Sequence, residues 1–217
     1  HFGLASLGNR QTEGHHLMKV VEHWLNGATR LDYPEDRLMG IRRFLVIHFT
    51  AGASAKSSVE FWRSPQAKGA EAHIIIDRDG TVYQIRATNQ RADHAGVSRW
   101  RCPRTGKVFE FLNSCSIGIE LANAGDNAKL AARMKGSTIK ARHKNGGPIA
   151  DWETYPEAQV KACIEVAEAL VKRYSLDDIV GHDDIAPKRK NDPGPAFPMA
   201  RLREACGFPG PVPKFKA

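Results

Sequence analysis

The chain has no run of about eighteen consecutive apolar residues, the least that a membrane-spanning helix needs. It has only 4 cysteines in 217 residues, Cys102, Cys115, Cys163 and Cys206, and none stands in a C-x-x-C pair. That argues against a dedicated thiolate zinc site. A chain this long buries enough surface to fold without disulfides, so free thiols are expected, as in a reducing compartment. There is no H-E-x-x-H signature, no internal repeat and no low-complexity block. Acids are outnumbered, 24 Asp+Glu against 32 Lys+Arg, for a net charge of +8. Such a balance points to an anionic partner: nucleic acid, a membrane surface or a cell wall. The bases are scattered and no nucleic-acid motif occurs, so no nucleic-acid partner is expected.

What remains is an ordinary globular composition, 41% apolar and 26% charged, at a length that favours one large domain. Residues 1–17 carry no apolar segment of signal-peptide length, and Met18 opens MKVVEHWL like a natural start. They are read as an added or disordered leader, His15 and His16 with them, and 18–217 as a single domain. A processed secreted chain stays open.

Residues 41–49, IRRFLVIHF, are bulky and β-branched and predict a buried strand with His48 near its carboxyl end. Ser58 offers a cap for a short helix that stops before Pro65. The runs 72–76 and 81–85 flank Asp79-Gly80, a hairpin signal. Residues 113–123 predict another strand, with Glu120 near its end. Residues 124–150 lack clear periodicity and predict a long functional or mobile loop. Apolar residues from Val160 to Tyr174 recur at helical spacing, so 156–174 predicts a helix. A short strand at 179–182 and a final helix at 199–206 follow. The predicted class is mixed α+β, a central mixed β-sheet flanked by helices.

The stretch GHDDIAPKRKNDPG, residues 181–194, fits neither helix nor ladder strand, because Pro187 and Pro193 break both. It places His182, Lys190 and Asp192 on one irregular loop. His48 and Glu120 sit at strand ends, where a sheet can hold side chains rigidly. Two histidines and a carboxylate form a recurring catalytic zinc set with one position left for water. Zinc would bring the pKa of its water to about 7. Glu120 is then the candidate base and Lys190 the candidate oxyanion donor. Each residue also has a plain alternative: a packed histidine, a turn-starting Asp192, a solvated basic face at Lys188–Lys190, a surface Glu120.

The loop GHDDIAPKRKNDPG resembles the zinc loop of the type 2 N-acetylmuramoyl-L-alanine amidases, the AmpD-like family. FLVIHFTAG, AHIIIDRDGTVYQ, ADHAGVS and SIGIELAN resemble further segments of that family, in the same order, over about residues 41–200. The resemblance implies a Zn²⁺ cofactor with ligands His48, His182 and Asp192, at the bottom of a surface groove. It implies Glu120 and Lys190 as the catalytic pair, and His73 and His94 lining or supporting the substrate cleft. The implied reaction is hydrolysis of the amide between the lactyl group of N-acetylmuramic acid and L-alanine of the stem peptide. The implied partner is peptidoglycan or its muropeptides, and a monomer is expected. Asp93 departs from the Trp that the family commonly carries there, and 124–153 is longer than its simplest members need. Some family members bind peptidoglycan without catalysis, but here every implied ligand is present. Between Lys129 and Lys144 lie six bases and no acid, which predicts a basic rim that collects an anionic polymer.

Overall fold

The computed structural model describes residues 18–213, so the leader expected at 1–17 lies outside the described residues. Short strands β1 (Val20–Val21), β2 (Trp24–Leu25) and β3 (Thr29–Arg30) precede β4 (Phe44–Phe49) and helix α1 (Ala55–Trp62). Next come β5 (Ile74–Ile76), β6 (Val82–Gln84), β7 (Arg99–Arg101), β8 (Val108–Glu110) and β9 (Ser116–Leu121). Helix α2 (Ala128–Arg133), β10 (Thr138–Arg142) and β11 (Ile149–Glu153) follow. The chain continues through α3 (Glu157–Tyr174), β12 (Asp178–Gly181), α4 (His182–Ile185) and α5 (Met199–Ala205). No helix among the described residues is long and apolar enough to cross a membrane.

The main sheet has the order β12-β4-β9-β5-β6-β3. Strands β12, β4, β9 and β5 run parallel, and β6 returns antiparallel to β5. Side chains alternate between its two faces. Leu45, Ile47, Ile117 and Ile119 pack beneath α3 against Cys163, Val166 and Leu170. Phe44, Val46 and Val180 point to the other face, under Trp100, Leu112 and Ile185. Both faces are covered, which is why the strands read as continuous apolar runs. Fully burying each such side chain is worth about 1.5–3 kcal/mol. On α3, Glu157 lies in the first turn and Lys172 and Arg173 in the last, matching the helix dipole.

Three expectations need correction. Helix α1 starts at Ala55 under a capping box made by Ser54 and Ser57, each 3.1 Å from the other's amide nitrogen. Ser58 instead lies inside the helix and donates to the Ser54 carbonyl at 2.9 Å. The segment 124–150 is not a structureless loop. It holds α2, capped by Asn127, and the β10–β11 hairpin. Most of that hairpin is exposed on both faces, so no apolar alternation marks it. Finally, the stretch 181–194 does begin helically: α4 makes one turn and ends before Pro187. All four cysteines are free.

Candidate active site

Adjacent parallel strands bring the site together. In register, His48 of β4 lies opposite Glu120 of β9, and Gly181 of β12 lies opposite Ile47. His182, the next residue, therefore emerges beside His48. The loop then returns, and the Asp183 amide donates to the Asp192 carbonyl at 2.8 Å. That bond closes the loop and sets the Asp192 carboxylate against both rings. The Asp192–Pro193 peptide is cis, and the Tyr155 hydroxyl donates to the Pro193 carbonyl at 2.8 Å. On the outer side of α4, His143 Nε2 lies 2.9 Å from Asp183 Oδ2, and Lys144 Nζ lies 2.9 Å from Asp183 Oδ1. The β10–β11 hairpin is thereby pinned to the loop that carries His182 and Asp192.

His48 Nδ1 lies 2.9 Å from His182 Nδ1 and 2.9 Å from Asp192 Oδ2, and His182 Nδ1 lies 3.0 Å from the same oxygen. All three residues are buried. The outer partners of the rings decide where their protons sit. His182 Nε2 faces the Ala95 carbonyl at 3.1 Å, which can only accept. His94 Nε2 faces the Ser116 carbonyl and Ser116 Oγ, each at 3.3 Å, and that hydroxyl spends its proton on the Leu112 carbonyl. His94 Nε2 is thus the donor and its Nδ1 is bare. His48 Nε2, 3.0 Å from that Nδ1, is in turn the donor. Burial, with His182 second, lowers the His48 pKa to about 4, so the ring is neutral at pH 7. In the neutral tautomers that these outer partners favour, the Nδ1 lone pairs of both rings and the Asp192 carboxylate converge. A donor set of this kind repels itself unless a cation sits in it, so these residues fit a metal ion.

Glu120 is partly buried, and its Oε2 has no hydrogen-bond partner among the described residues. Burial first, then the Asp192 charge, push its pKa well above the usual carboxylate value, while Lys190 pulls it down. A cavity of about 630 Å³ opens on the Lys190 side, lined by Lys190, Asn191, Pro187, His143, Pro148 and Trp152 among others. Its walls are the ligand loop and the β10–β11 hairpin. The expected basic rim is only half present. Lys140 pairs with Asp151 at 3.0 Å, Lys144 with Asp183 and Asp184, and Arg142 donates to the Gly147 carbonyl. Lys129, Arg133 and Lys135 remain exposed.

His73 and His94 stand behind the cluster and do not line an open cleft. His73 is fully buried, donating from Nε2 to the Gln90 carbonyl at 2.9 Å and accepting at Nδ1 from the Gly118 amide at 3.1 Å. With both nitrogens taken by main chain, it has nothing left to offer a substrate. His94 is the outer partner of His48. Asp93, in place of an aromatic residue, ties its loop down by accepting from Arg37, Arg91 and Asn113, each at 3.0 Å. Residue-type reasoning missed Ala95, Ser116 and Gly118. Two act through main-chain carbonyls, which no residue type announces. Gly118 did leave a signal, because a glycine inside a strand marks a close approach: a Cβ there would lie 2.6 Å from His94 Cγ.

A family model described as Amidase_2, N-acetylmuramoyl-L-alanine amidase, matches residues 39–195. AmiD of Escherichia coli (strain K12), an N-acetylmuramoyl-L-alanine amidase, is 30% identical over 171 residues, 75% of this chain and 52% of its own length. AmpD of Enterobacter cloacae, a 1,6-anhydro-N-acetylmuramyl-L-alanine amidase, is 36% identical over 133 residues, 60% of this chain and 54% of its own. The chain thus spans about half the length of these curated relatives. The solved complex of Escherichia coli AmiD with anhydro-N-acetylmuramic acid-L-Ala-D-gamma-Glu-L-Lys superposes with a TM-score of 0.59 at 27% identity, covering 89% of this chain and 67% of that one. With the matched span containing all three converging ligand groups, the chain belongs to the N-acetylmuramoyl-L-alanine amidase family described by Amidase_2.

Proposed function

We propose that this chain is a zinc-dependent N-acetylmuramoyl-L-alanine amidase. It would cleave the amide that joins the lactyl group of N-acetylmuramic acid to L-alanine in peptidoglycan or its soluble fragments. The observation that carries the reading is the convergence of buried His48 Nδ1, His182 Nδ1 and Asp192 Oδ2 at 2.9–3.0 Å from one another. Zinc suits two imidazoles and one carboxylate, and with three protein ligands it keeps a position for chemistry. When bound there, it would acidify water and polarise a carbonyl.

The chain's own residues would do the rest. Glu120, beside His48 in the sheet, would take a proton from the attacking water. Burial, which raises its pKa above the usual carboxylate value, makes it a stronger proton acceptor than an exposed carboxylate. Lys190 would donate from Nζ to the carbonyl oxygen as negative charge develops there. The water oxygen bonds to the carbonyl carbon, and the carbon–nitrogen bond breaks. Glu120 would hand the proton to the leaving nitrogen, giving a lactyl carboxylic acid and a free L-alanine amine, and the acid's proton then passes to the amine to leave carboxylate and ammonium. One chain supplies every group, so a monomer suffices. The test is digestion of purified sacculi and of a soluble anhydromuropeptide, with and without chelator, with products identified by mass. Stem peptides with a new L-alanine amino terminus, lost on chelation and restored by zinc, are expected. No release from either substrate by zinc-loaded protein overturns the reading.

A further inference from the structure

The carbonyl that orients His182 is itself held from two sides. Ala95 is buried, and its amide donates to Asn113 Oδ1 at 2.7 Å, with the Gly96 amide at 3.3 Å from the same oxygen. Its carbonyl receives His182 Nε2 at 3.1 Å and also Arg189 Nη2 at 2.7 Å. The same Nη2 donates to the Val97 carbonyl at 2.7 Å. Gly96 makes this possible: its φ of +55° turns the chain so that both flanking carbonyls face one guanidinium. A Cβ at Gly96 would stand 3.3 Å from that nitrogen. Gly96 and Val97 are exposed, so neighbouring side chains do not cage this turn as they do the ligands.

We infer that Arg189 is a positioning residue for the metal centre, fixing through the Ala95 carbonyl the ring plane and tautomer of His182. This rests on the metal-site reading of His48, His182 and Asp192. The carbonyl has two lone pairs, so it can serve both donors. Nη2 also lies 3.5 Å from His182 Nε2, but with its two N–H groups directed at the Ala95 and Val97 carbonyls it leaves that ring nitrogen as the donor. The Ala95–Gly96 peptide is held at the Gly96 N–H by Asn113 Oδ1 at 3.3 Å and at the Ala95 oxygen by Arg189, and the same Asn113 oxygen fixes the preceding peptide through the Ala95 N–H. Without the guanidinium the oxygen side is free to tilt, and His182 loses the acceptor that keeps its proton on Nε2. A proton on Nδ1 removes that atom as a ligand. Charged hydrogen bonds to carbonyls are the stronger kind, and the planar fork directs both N–H groups of one nitrogen at fixed angles. An ammonium can satisfy one carbonyl but lacks that geometry.

The test is zinc affinity of R189M and R189K, measured against a chromophoric chelator, beside thermal unfolding of the metal-free proteins. Nitrogen NMR of the imidazoles reads the His182 tautomer directly. Losing an outer partner of a metal-bound histidine typically weakens metal binding ~10–100-fold. R189M should fall in that range with mixed His182 tautomers, R189K should fall between it and wild type, and the metal-free unfolding midpoints should stay close to wild type. An R189M affinity within about twofold of wild type, well below that range, overturns the inference. So does a loss of affinity matched by loss of the metal-free fold, since Arg189 would then be merely structural. If R189M does not fold, R189K carries the same readings. Wild-type protein that binds no zinc at all overturns the metal-site reading instead, which keeps the two failures distinct.

Discussion

Replacing Gly118 by alanine probes the site from underneath, without touching any ligand. The new Cβ would sit 2.6 Å from His94 Cγ and 2.7 Å from its Nδ1, where ordinary contact begins near 3.4 Å. The backbone of β9 is held between β4 and β5, so the ring must yield. A recession of about 0.8 Å lengthens the His48 Nε2–His94 Nδ1 separation from 3.0 Å to as much as about 3.8 Å, outside hydrogen-bond range. Two costs follow. Overpacking a tight interior typically costs ~1–3 kcal/mol, which for a domain of this size lowers the unfolding midpoint by about 2–12 °C. Freed from its acceptor, His48 can move its proton to Nδ1, and zinc affinity should drop ~10–100-fold. Gly40 is the control, because a Cβ there meets nothing within 4 Å, so G40A should match wild type in both measurements. The assay is zinc competition with a chromophoric chelator, with imidazole nitrogen shifts to read the His48 tautomer. A folded G118A that binds zinc as wild type does, with His48 still protonated on Nε2, would refute the proton assignment on which the metal site rests.

Other outcomes follow from the same geometry. H48A should lose both zinc and turnover, and full activity in zinc-free H48A protein would sink the ligand assignment. E120A and K190A should keep zinc, measured by elemental analysis, yet lose turnover by ~10²–10⁴-fold and ~10²–10³-fold respectively. If both stay within about threefold of wild type, those roles are wrong. For stability against pH, burial lowers the His73 pKa to about 4, below its unfolded value of 6.5. Between those values the unfolded state binds the extra proton, so stability rises with pH across the window and is lost as pH falls through it. The His73 contribution is about 3 kcal/mol, and H73Q should flatten urea-denaturation stability between pH 6.5 and 4 by roughly that amount. Neutralising Lys129, Arg133 and Lys135 together should weaken the salt dependence of sacculus digestion. K144M should leave the salt slope alone, because Lys144 is already paired with Asp183 and Asp184.

The sheet was legible because its strands are buried on both faces. The runs around Leu45, Ile75, Ile117 and Ile179 are apolar and β-branched, and each became a strand. Helix α3 was legible from one apolar stripe. What escaped was whatever lies outside the core. The β10–β11 hairpin pairs five residues on each side but buries only Trp152 and Glu153 of the ten, so its pattern is that of a loop. The six bases from Lys129 to Lys144 looked like a field aimed at solvent. Half of them instead complete ion pairs or main-chain bonds that exist only once the chain has folded.

The candidate site divides along the same line. His48, Glu120, His182 and Asp192 could be picked out because their chemistry is written in their side chains and their places in strand and loop. Their orientation could not, because it is written in carbonyls. His182 takes its tautomer from Ala95, and His48 takes its own from Ser116 through His94. Both chains of partners pass through residues near β9 or the loop 93–98, segments that contribute no ligand. On the proposed metal-site reading, the inner residues would hold the ion and the outer ones would set which nitrogen faces it. Substitutions behind the cluster at Arg189 or Asn113 should therefore act on metal affinity before they act on the fold, and G118A should act on both. Substitutions at Glu120 or Lys190 should act on turnover with the metal in place.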